Sequence, residues 1–140
     1  MSTTYQEDTA SPDAGSLAVV NSIGLTGDDL ALCLLEQSED CIKLLSVDGH
    51  LEFMNCGGLT AMEIDRPEMV LGKLWWNLWP KESQRYVEAR FREALEGKTV
   101  LFEASCPTAK GNPRRWSVNM KPMLARNGPV VSVLATSREI

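Results

Sequence analysis

Residues 99–138, TVLFEASCPTAKGNPRRWSVNMKPMLARNGPVVSVLATSR, decide the fold because they contain three consecutive strand-like segments. Apolar residues alternate with polar ones in the first two segments: Val100, Phe102, Ala104 and Cys106, then Trp116, Val118 and Met120. The third segment, 130–136, is rich in β-branched residues, and glycine, asparagine and proline mark a turn before it and another between the first two. Alternation with period two predicts a sheet with one apolar face, and such short connections predict antiparallel strands. Other parts of the chain must therefore cover that face.

Length and composition fit one domain with room for a tail. The chain has 140 residues, of which 44% are hydrophobic, so it can bury a core. No apolar segment approaches the roughly 20 residues that a membrane helix needs, and no basic residue precedes Lys43, as a secretory signal would require. The four cysteines show no metal-ligand spacing. We therefore expect a cytoplasmic protein with reduced thiols, no metal site and no membrane contact.

Charged residues are unevenly distributed along the chain. Residues 1–40 contain eight acidic residues and no basic one, whereas residues 104–140 contain six basic residues and one acidic residue. A basic segment of this kind is one feature of nucleic-acid binding. The net charge of −5, however, gives weak long-range attraction to phosphate. A solvated sheet face explains the basic residues better, and no nucleic-acid partner is expected.

Ahead of these strands, the sequence predicts a tail, a helix and a hairpin. Residues 1–24 are rich in small and polar residues, which favours a flexible tail. Thr26-Gly-Asp-Asp29 predicts a helix over about 26–38, because it offers a capping oxygen and acids at the positive end of the helix dipole. The helix is apolar nearly all round, so we expect it to be buried on more than one side, against its own sheet and a second subunit. Asp48-Gly49, between two strand-like segments, predicts a β-hairpin.

Several helices are predicted between this hairpin and the last three strands. Asn55 is predicted to cap a short helix over about 56–62. Three tryptophans within residues 72–80 carry a large apolar area for the core. A longer amphipathic helix is predicted to follow Pro80 and to end at Gly97. The helices therefore lie in the middle of the chain, where they can cover the sheet.

A series of positions, taken in order, resembles the PAS family of sensory domains. The positions are the hairpin Asp48-Gly-His-Leu-Glu-Phe-Met-Asn55, Gly72-Lys-Leu-Trp75 with Trp79-Pro80, Phe102-Glu103, Gly111 with Arg115-Trp116, Pro122, and the closing Thr136-Ser-Arg-Glu-Ile140. The resemblance covers roughly residues 28–140, although Ser46 stands where many members carry aspartate. It implies an α+β fold: a five-stranded antiparallel sheet with the first strand central, short helices over one face and a preceding N-terminal helix. The domain is expected over 25–140, with its core at about 40–140.

The resemblance also implies a small-molecule cavity between sheet and helices. The candidate ligand-binding residues are the apolar ones predicted to face the helices: Phe53, Met62, Trp75, Leu78, Trp116, Val118, Met120 and Val133. The same residues would also suit an interior that side chains fill completely. The ligand and any cofactor remain unidentified from the sequence.

Two residues bear on the cofactors that some family members use. The light-sensing branch forms a flavin adduct through a cysteine in a longer Asn-Cys-Arg-Phe-type segment on a later helix. Asn55-Cys-Gly-Gly58 lacks that segment, so a cysteinyl-flavin adduct is not expected and Cys56 is interpreted as a buried structural thiol. Haem-binding members use a histidine on the long helix, but residues 81–97 contain none. Haem ligation through histidine is therefore not expected, and His50 is predicted to be exposed in the hairpin.

The resemblance implies a non-catalytic sensor that passes a signal by conformational change to a linked output domain, or to a partner such as a sensor histidine kinase of a two-component system. Asp48, Arg138 and Glu139 are predicted to form the polar point at which the sheet passes on that signal. A homodimer is predicted through the N-terminal helix, with Leu30, Cys33 and Leu34 at the interface. Family members usually continue beyond the position of Ile140, so the chain is expected to be the sensor part of a longer protein.

Two alternatives stay open. The same fold can serve as a ligand-free module for dimerisation or protein–protein docking. An enzyme would need a carboxylate on the inner face, such as Asp65 or Glu103, to carry out acid–base chemistry. Alternation places Glu103 on the polar face of its strand, which argues against the enzyme and leaves no catalytic residue to nominate.

Overall fold

The computed structural model describes residues 18–19, 22–24 and 26–140. The order of its elements is α1 (Gly27–Gln37), β1 (Cys41–Leu45), β2 (Leu51–Met54), α2 (Cys56–Ala61), three 3₁₀ turns (Pro67–Met69, Trp75–Leu78 and Lys81–Ser83), α3 (Gln84–Leu95), β3 (Val100–Ser105), β4 (Arg115–Leu124) and β5 (Val130–Glu139). None of the helices in this described part has the length and apolar character needed to cross a bilayer.

The five strands form one antiparallel sheet in the order β2-β1-β5-β4-β3. Leu45 lies opposite Val133, so the early hairpin pairs directly with β5. Val100 and Phe102 are buried, whereas Leu101 between them is 69% exposed. Alternation in β3 and β4 therefore places their apolar side chains on one face, and the predicted five-stranded antiparallel sheet is confirmed. The central strand, however, is β5 and not the first strand as predicted, because β5 pairs with both β1 and β4.

The middle of the chain covers that face. In α3, Val87, Phe91 and Ala94 are fully buried at a spacing that places them on one side of the helix. They belong to one core cluster with the tryptophans of the second 3₁₀ turn and the inward residues of β3, β4 and β5. Gly97 follows α3 with φ +96°, a backbone conformation that glycine adopts at little cost, and the helix ends there as predicted.

A bulge in the first hairpin reverses the facing of two β2 side chains. Leu45 pairs with Leu51 and Leu44 pairs with Phe53, so β2 carries one extra residue, Glu52, between the two pairs. Leu51 is completely buried beside Leu45. Phe53 instead lies beside Leu44 on the opposite face of the sheet and is only partly buried. The assignment of Phe53 to the helix-covered face is therefore wrong, because simple alternation does not anticipate the bulge.

The turn of this hairpin fits closely against the tryptophan-rich segment. Gly49 has φ +90° and is buried, with its N–H donating to Ser46 O and its carbonyl accepting from Trp75 N, each at 2.9 Å. A Cβ atom at Gly49 would lie 2.3 Å from the Trp76 ring. That ring also contacts Phe91, with centroids 5.4 Å apart. Glycine is required here for both its backbone conformation and its lack of a side chain.

Asn55 joins three parts of the fold and is completely buried. Its Oδ1 accepts hydrogen bonds from Ile42 N and Gly58 N, each at 2.9 Å, so it caps α2 as predicted and also holds the backbone of β1. Its Nδ2 donates to Ser38 O at 3.3 Å and to Asp40 O at 3.1 Å. One side chain thus fixes the segment before β1, the strand itself and the start of α2.

The N-terminal helix is described by itself, because the described residues divide into two units between Leu35 and Glu36. Thr26 Oγ1 accepts from Asp29 N at 3.0 Å, which confirms the predicted helix start. No residue of α1 is buried, so the expected burial on more than one side is not met within a single chain. The predicted tail, 1–24, lies mostly outside the described residues and stays a prediction.

Candidate functional site

A cavity of about 240 Å³ lies between the sheet and the segments that cover it. Its lining comes from β1, β2, β4, β5, the segment after α2, the second 3₁₀ turn and the loop after β3: Cys41, Lys43, Met54, Met62, Ile64, Val70, Trp75, Leu78, Trp79, Cys106, Pro107, Thr108, Ala109, Trp116 and Ser137. Most of these residues are apolar and a few are polar, which is the usual character of a small-molecule site. The cavity is therefore the candidate functional site.

Half of the ligand-binding residues predicted from the sequence line this cavity. Met62, Trp75, Leu78 and Trp116 surround it. Trp116 is held in place by its indole N–H, which donates to Cys106 O at 3.0 Å. Whether these residues bind a ligand stays a prediction.

The other half lie elsewhere. Val118, Met120 and Val133 are completely buried and belong to the core cluster, but they do not line the cavity. Phe53 lies on the other face of the sheet, as described above. Met54, its neighbour, lies opposite Lys43 and faces the cavity in its place.

Lys43 is the residue that the sequence prediction missed. Cys41 and Leu45 face the core, so alternation in β1 also turns Lys43 inward, where it is only 3% exposed. Its Nζ donates to Ser137 Oγ at 2.9 Å, to Cys41 O at 3.0 Å and to Cys41 Sγ at 3.2 Å. It also lies 5.9 Å from the centre of the Trp75 ring. A charged group therefore stands at the sheet wall of the cavity.

The surroundings of Lys43 do not neutralise its charge. It forms no ion pair among the described residues, and its hydrogen-bond partners are all neutral. Taking an ammonium group out of water costs several kcal/mol. A contact with an aromatic face returns only about 0.5–2 kcal/mol. Among the described residues that line the cavity, no acidic group balances the charge of Lys43.

The thiol of Cys106 does not supply the missing negative charge. Burial raises the pKa of Cys106 to about 11, although the Lys43 charge acts in the opposite direction. At neutral pH this side chain is consequently an uncharged thiol that lines the cavity.

Hydrogen bonds to Glu63 hold the loop after β3, which forms one wall of the cavity. Thr108 Oγ1 and Asn112 Nδ2 both donate to Glu63 Oε1, at 2.5 and 2.6 Å, and Ala109 N donates to Met62 O at 2.8 Å. Glu63 has φ +56°, an unusual conformation for a residue other than glycine. Its side chain connects the segment after α2 with the loop after β3, which lines one side of the cavity.

We expect this connection to depend on pH. Hydrogen bonds from Thr108 and then Asn112 lower the pKa of the Glu63 carboxyl below its ordinary value of 4.5. Because the pKa is lower in the folded state, the carboxylate stabilises the fold above its unfolded pKa, and that stabilisation disappears as the pH falls through the folded pKa. Wild type should therefore unfold at higher urea than Glu63→Gln at pH 7, with the difference shrinking from about pH 5 towards pH 3. Glu68→Gln, at an exposed site, is the control. If the difference in urea midpoint between wild type and Glu63→Gln does not change with pH, the Glu63 carboxylate does not stabilise the fold in this way.

The three predicted signalling residues do not form one cluster. Arg138 and Asp40 make two hydrogen bonds, at 3.0 and 3.2 Å, and this contact raises the pKa of Arg138. Glu139 pairs instead with Arg114, at 3.4 Å. Asp48 lies in the hairpin turn at the other end of β1. The grouping of Asp48 with Arg138 is therefore corrected, and Asp40 is the acid that Arg138 contacts.

The remaining candidates lie outside the cavity. Cys56 is exposed rather than buried, and hydrogen bonding to Glu36 raises the pKa of its thiol. His50 is exposed, as predicted. Asp65 and Glu103 are exposed and form surface ion pairs with the loop lysine and with a β4 arginine, so neither points into the cavity. The described residues contain no group of three or more His, Cys, Asp or Glu that could hold a metal ion.

Solved structures share this architecture at low sequence identity. A PAS domain from Colwellia psychrerythraea is 18% identical, with a TM-score of 0.71, over 79% of this chain and 94% of that one. The PAS domain of an HTR-like protein from Haloarcula marismortui is 21% identical, with a TM-score of 0.68, over 81% of this chain and 96% of that one. The LOV protein of Rhodobacter sphaeroides is 16% identical, with a TM-score of 0.66, over 77% of this chain and 63% of that one. At these identities the likeness establishes the fold.

The family follows from the sequence itself. No curated protein matches the chain. The family model described as PAS fold, however, matches residues 35–140, which include every strand, α2 and α3. This match supports a sensory or signalling role. It agrees with the resemblance found in the hairpin, the tryptophan-rich segment and the closing strand, and the chain belongs to the PAS family.

Proposed function

We propose that this protein is a sensor module that binds a small molecule in the cavity and passes the signal to an output domain or a partner such as a sensor histidine kinase. The observation that supports the proposal is the cavity itself, with mostly apolar walls and a few polar groups. In this proposal the module is cytoplasmic and has no catalytic activity of its own. Its task is to couple occupancy of the cavity to the positions of the chain ends.

The arrangement of β5 offers a route for that coupling. Ser137 lines the cavity, and the next residue, Arg138, forms the ion pair with Asp40 at the end of the sheet. A ligand that moves Ser137 would therefore displace Arg138 relative to Asp40. Such a ligand acts by shifting the population of two arrangements, and it does so only if it binds one of them more tightly. Glu139, paired with Arg114, follows directly and extends this route towards the end of the chain.

Filling the cavity should abolish ligand uptake. Val70 is buried and lines the cavity, so Val70→Phe places additional ring atoms into the empty space. Native mass spectrometry of the purified wild-type chain, alone and with a set of small aromatic and aliphatic compounds, is expected to show a bound mass that Val70→Phe lacks. Val131→Phe, at a 54% exposed site outside the cavity, should behave like wild type. Equal uptake by wild type and Val70→Phe would contradict ligand binding in this cavity.

A second candidate function is a module for dimerisation or docking without a ligand. It is favoured by α1, whose Leu34 is 61% exposed and would be covered in a dimer. We propose a homodimer in which Leu30, Cys33 and Leu34 of each copy lie at the interface. The two candidate functions are compatible, because a ligand-dependent signal can be carried by a dimer.

Leu34→Glu tests this dimer. A charge in the centre of an apolar interface disfavours association, so the variant is expected to elute as a monomer in size-exclusion chromatography with light scattering while wild type elutes as a dimer. Val131→Glu, at a similarly exposed apolar site on β5, is the matched control and should remain dimeric. If Leu34→Glu leaves the dimer intact, or wild type is monomeric, α1 is not the interface.

A further inference from the structure

The cavity contains one charge and no group of opposite sign. Of the described residues that line it, Lys43 alone is charged. We propose that the natural ligand is a small monocarboxylate with an apolar body, and that its carboxylate contacts Lys43 Nζ and Ser137 Oγ. The inference rests on the proposed function, since it specifies the ligand class for the same cavity.

Two hydrogen-bond donors at the sheet wall are arranged to receive a carboxylate. Ser137 Oγ accepts from Lys43 Nζ at 2.9 Å, so the hydroxyl proton of Ser137 is free to point elsewhere, into the cavity. The contact of Lys43 with Cys41 Sγ, at 3.2 Å, uses a weak acceptor and is the contact that a carboxylate oxygen would replace. A carboxylate would thus receive one hydrogen bond from an ammonium and one from a hydroxyl. Charge-assisted bonds of this kind are stronger than the neutral contacts present now.

The register of β1 against β5 places the partners of Lys43 at one end of the cavity. Ala135 pairs with Lys43 across the β1–β5 ladder and is completely buried. Cys41 lies directly opposite Ser137, so both partners of Lys43 occupy the same side of it along the sheet. The ammonium group is therefore drawn towards the Ser137 end of the cavity, and the carboxylate position is expected there.

The rest of the lining indicates the body of the ligand. Trp75 and Trp79 meet edge to face, with centroids 5.7 Å apart, and present ring surface to an apolar molecule. A second carboxylate would find no cation, because Lys43 is the only one among the described lining residues. An amine would be repelled by the same charge. The volume of about 240 Å³ has room for a body of the size of one ring or a short branched chain.

A structural explanation of Lys43 makes a different prediction. If the ammonium is kept only by its contacts with Ser137, Cys41 and the Trp75 ring, its removal would not alter the preference of the cavity among ligands. The two explanations are separated by comparing acids with their neutral amides, which have nearly the same shape. The relevant quantity is the ratio of the two affinities, because changes in packing affect both compounds alike.

The experiment uses isothermal titration calorimetry on the whole chain with sodium phenylacetate, sodium isovalerate, their two amides and phenethylamine. Wild type is expected to bind an acid more tightly than its amide and not to bind the amine. Lys43→Met keeps a side chain of similar length, and we expect it to weaken acid binding by at least about 30-fold while leaving amide binding unchanged. Ser137→Ala, a second variant that tests the same contact while the lysine stays in place, should weaken acid binding by about tenfold. Lys121→Met, at an exposed site on β4, is the control and should bind as wild type does.

Different results would overturn the carboxylate proposal alone or the sensor function with it. Amides that bind as tightly as acids, or an acid affinity that Lys43→Met and Ser137→Ala leave unchanged, would overturn the carboxylate proposal but leave the sensor function standing. A neutral or cationic molecule found bound to the purified protein by native mass spectrometry would do the same. If none of these compounds binds and the purified protein carries no bound mass, both the carboxylate proposal and the small-molecule sensor function fail. Selective loss of acid binding in both variants supports the proposal.

Discussion

Gly49→Ala is expected to reduce the free energy of unfolding by about 2–5 kcal/mol, because two independent costs combine at this position. The glycine has φ +90°, a conformation that costs an L-residue roughly 1–2 kcal/mol. The new Cβ would also lie 2.3 Å from the Trp76 ring. Trp76 is buried and contacts Phe91, so its ring has little room to move aside. Urea unfolding followed by far-UV circular dichroism measures the loss.

Gly72→Ala is the matched control for this substitution. Gly72 has φ +84°, nearly the same as Gly49, but a Cβ atom there would meet nothing within 4 Å. It should therefore lose only the conformational part, about 1–2 kcal/mol. The difference between the two variants isolates the contact between hairpin turn and tryptophan. Equal losses in Gly49→Ala and Gly72→Ala would show that the ring yields without cost and that this contact does not fix the turn.

Asn55→Ala should cost about 3–5 kcal/mol, since a completely buried amide with four hydrogen bonds to the backbone is removed. The backbone N–H groups of Ile42 and Gly58 lose their acceptor. The carbonyls of Ser38 and Asp40 lose a donor at the same time. Each buried group left unpaired costs about 1–3 kcal/mol, and partial access of water keeps the total below the sum. The loss is measured by urea unfolding, and hydrogen exchange should show faster exchange at the start of α2.

Asn119→Ala provides the comparison on the same residue type. Asn119 Oδ1 is buried and has no hydrogen-bond partner among the described residues. Removing an acceptor that is already unpaired should change stability by less than about 1 kcal/mol. If Asn55→Ala is no more damaging than Asn119→Ala, the four backbone contacts of Asn55 contribute little, and its role in joining β1 to α2 is overstated.

The sequence patterns were sufficient for the sheet and its covering helices because each element carries a local signal. Alternation identified the buried faces of β3 and β4, and Asp48-Gly49 located the hairpin. Asn55 is identifiable as a cap because asparagine is a preferred N-cap residue and stands where a strand ends and a helix begins. Pro80 and Gly97 bounded the segment that contains α3. These features depend on neighbouring residues, which a single sequence shows directly.

The cavity was less predictable because its lining depends on register and on distant contacts. Because of the bulge at Glu52, Met54 and not Phe53 lies on the inner face of the sheet. One extra residue in a strand leaves no clear sign in the sequence. Lys43 did carry a signal, since alternation with Cys41 and Leu45 turns it inward, but a lysine is ordinarily assigned to the outer face.

The contact between the start of β1 and the end of β5 has no local signal in the sequence. Arg138 pairs with Asp40, not with Asp48, because β1 and β5 run antiparallel and bring Cys41 beside Ser137. Predicting this pair requires the register of two strands that are far apart in the sequence. Nothing within either segment specifies that register.

The position of β5 between β1 and β4 has a consequence for the order of folding. Lys43 and Ser137 are in contact although 94 positions separate them, so the central ladder closes a very long loop. Before β5 is added, the β1–β2 hairpin and the β3–β4 hairpin are two separate ribbons that share no strand. High contact order of this kind slows folding, and nascent chains that still lack β5 would present two unprotected ribbon edges to chaperones and to one another.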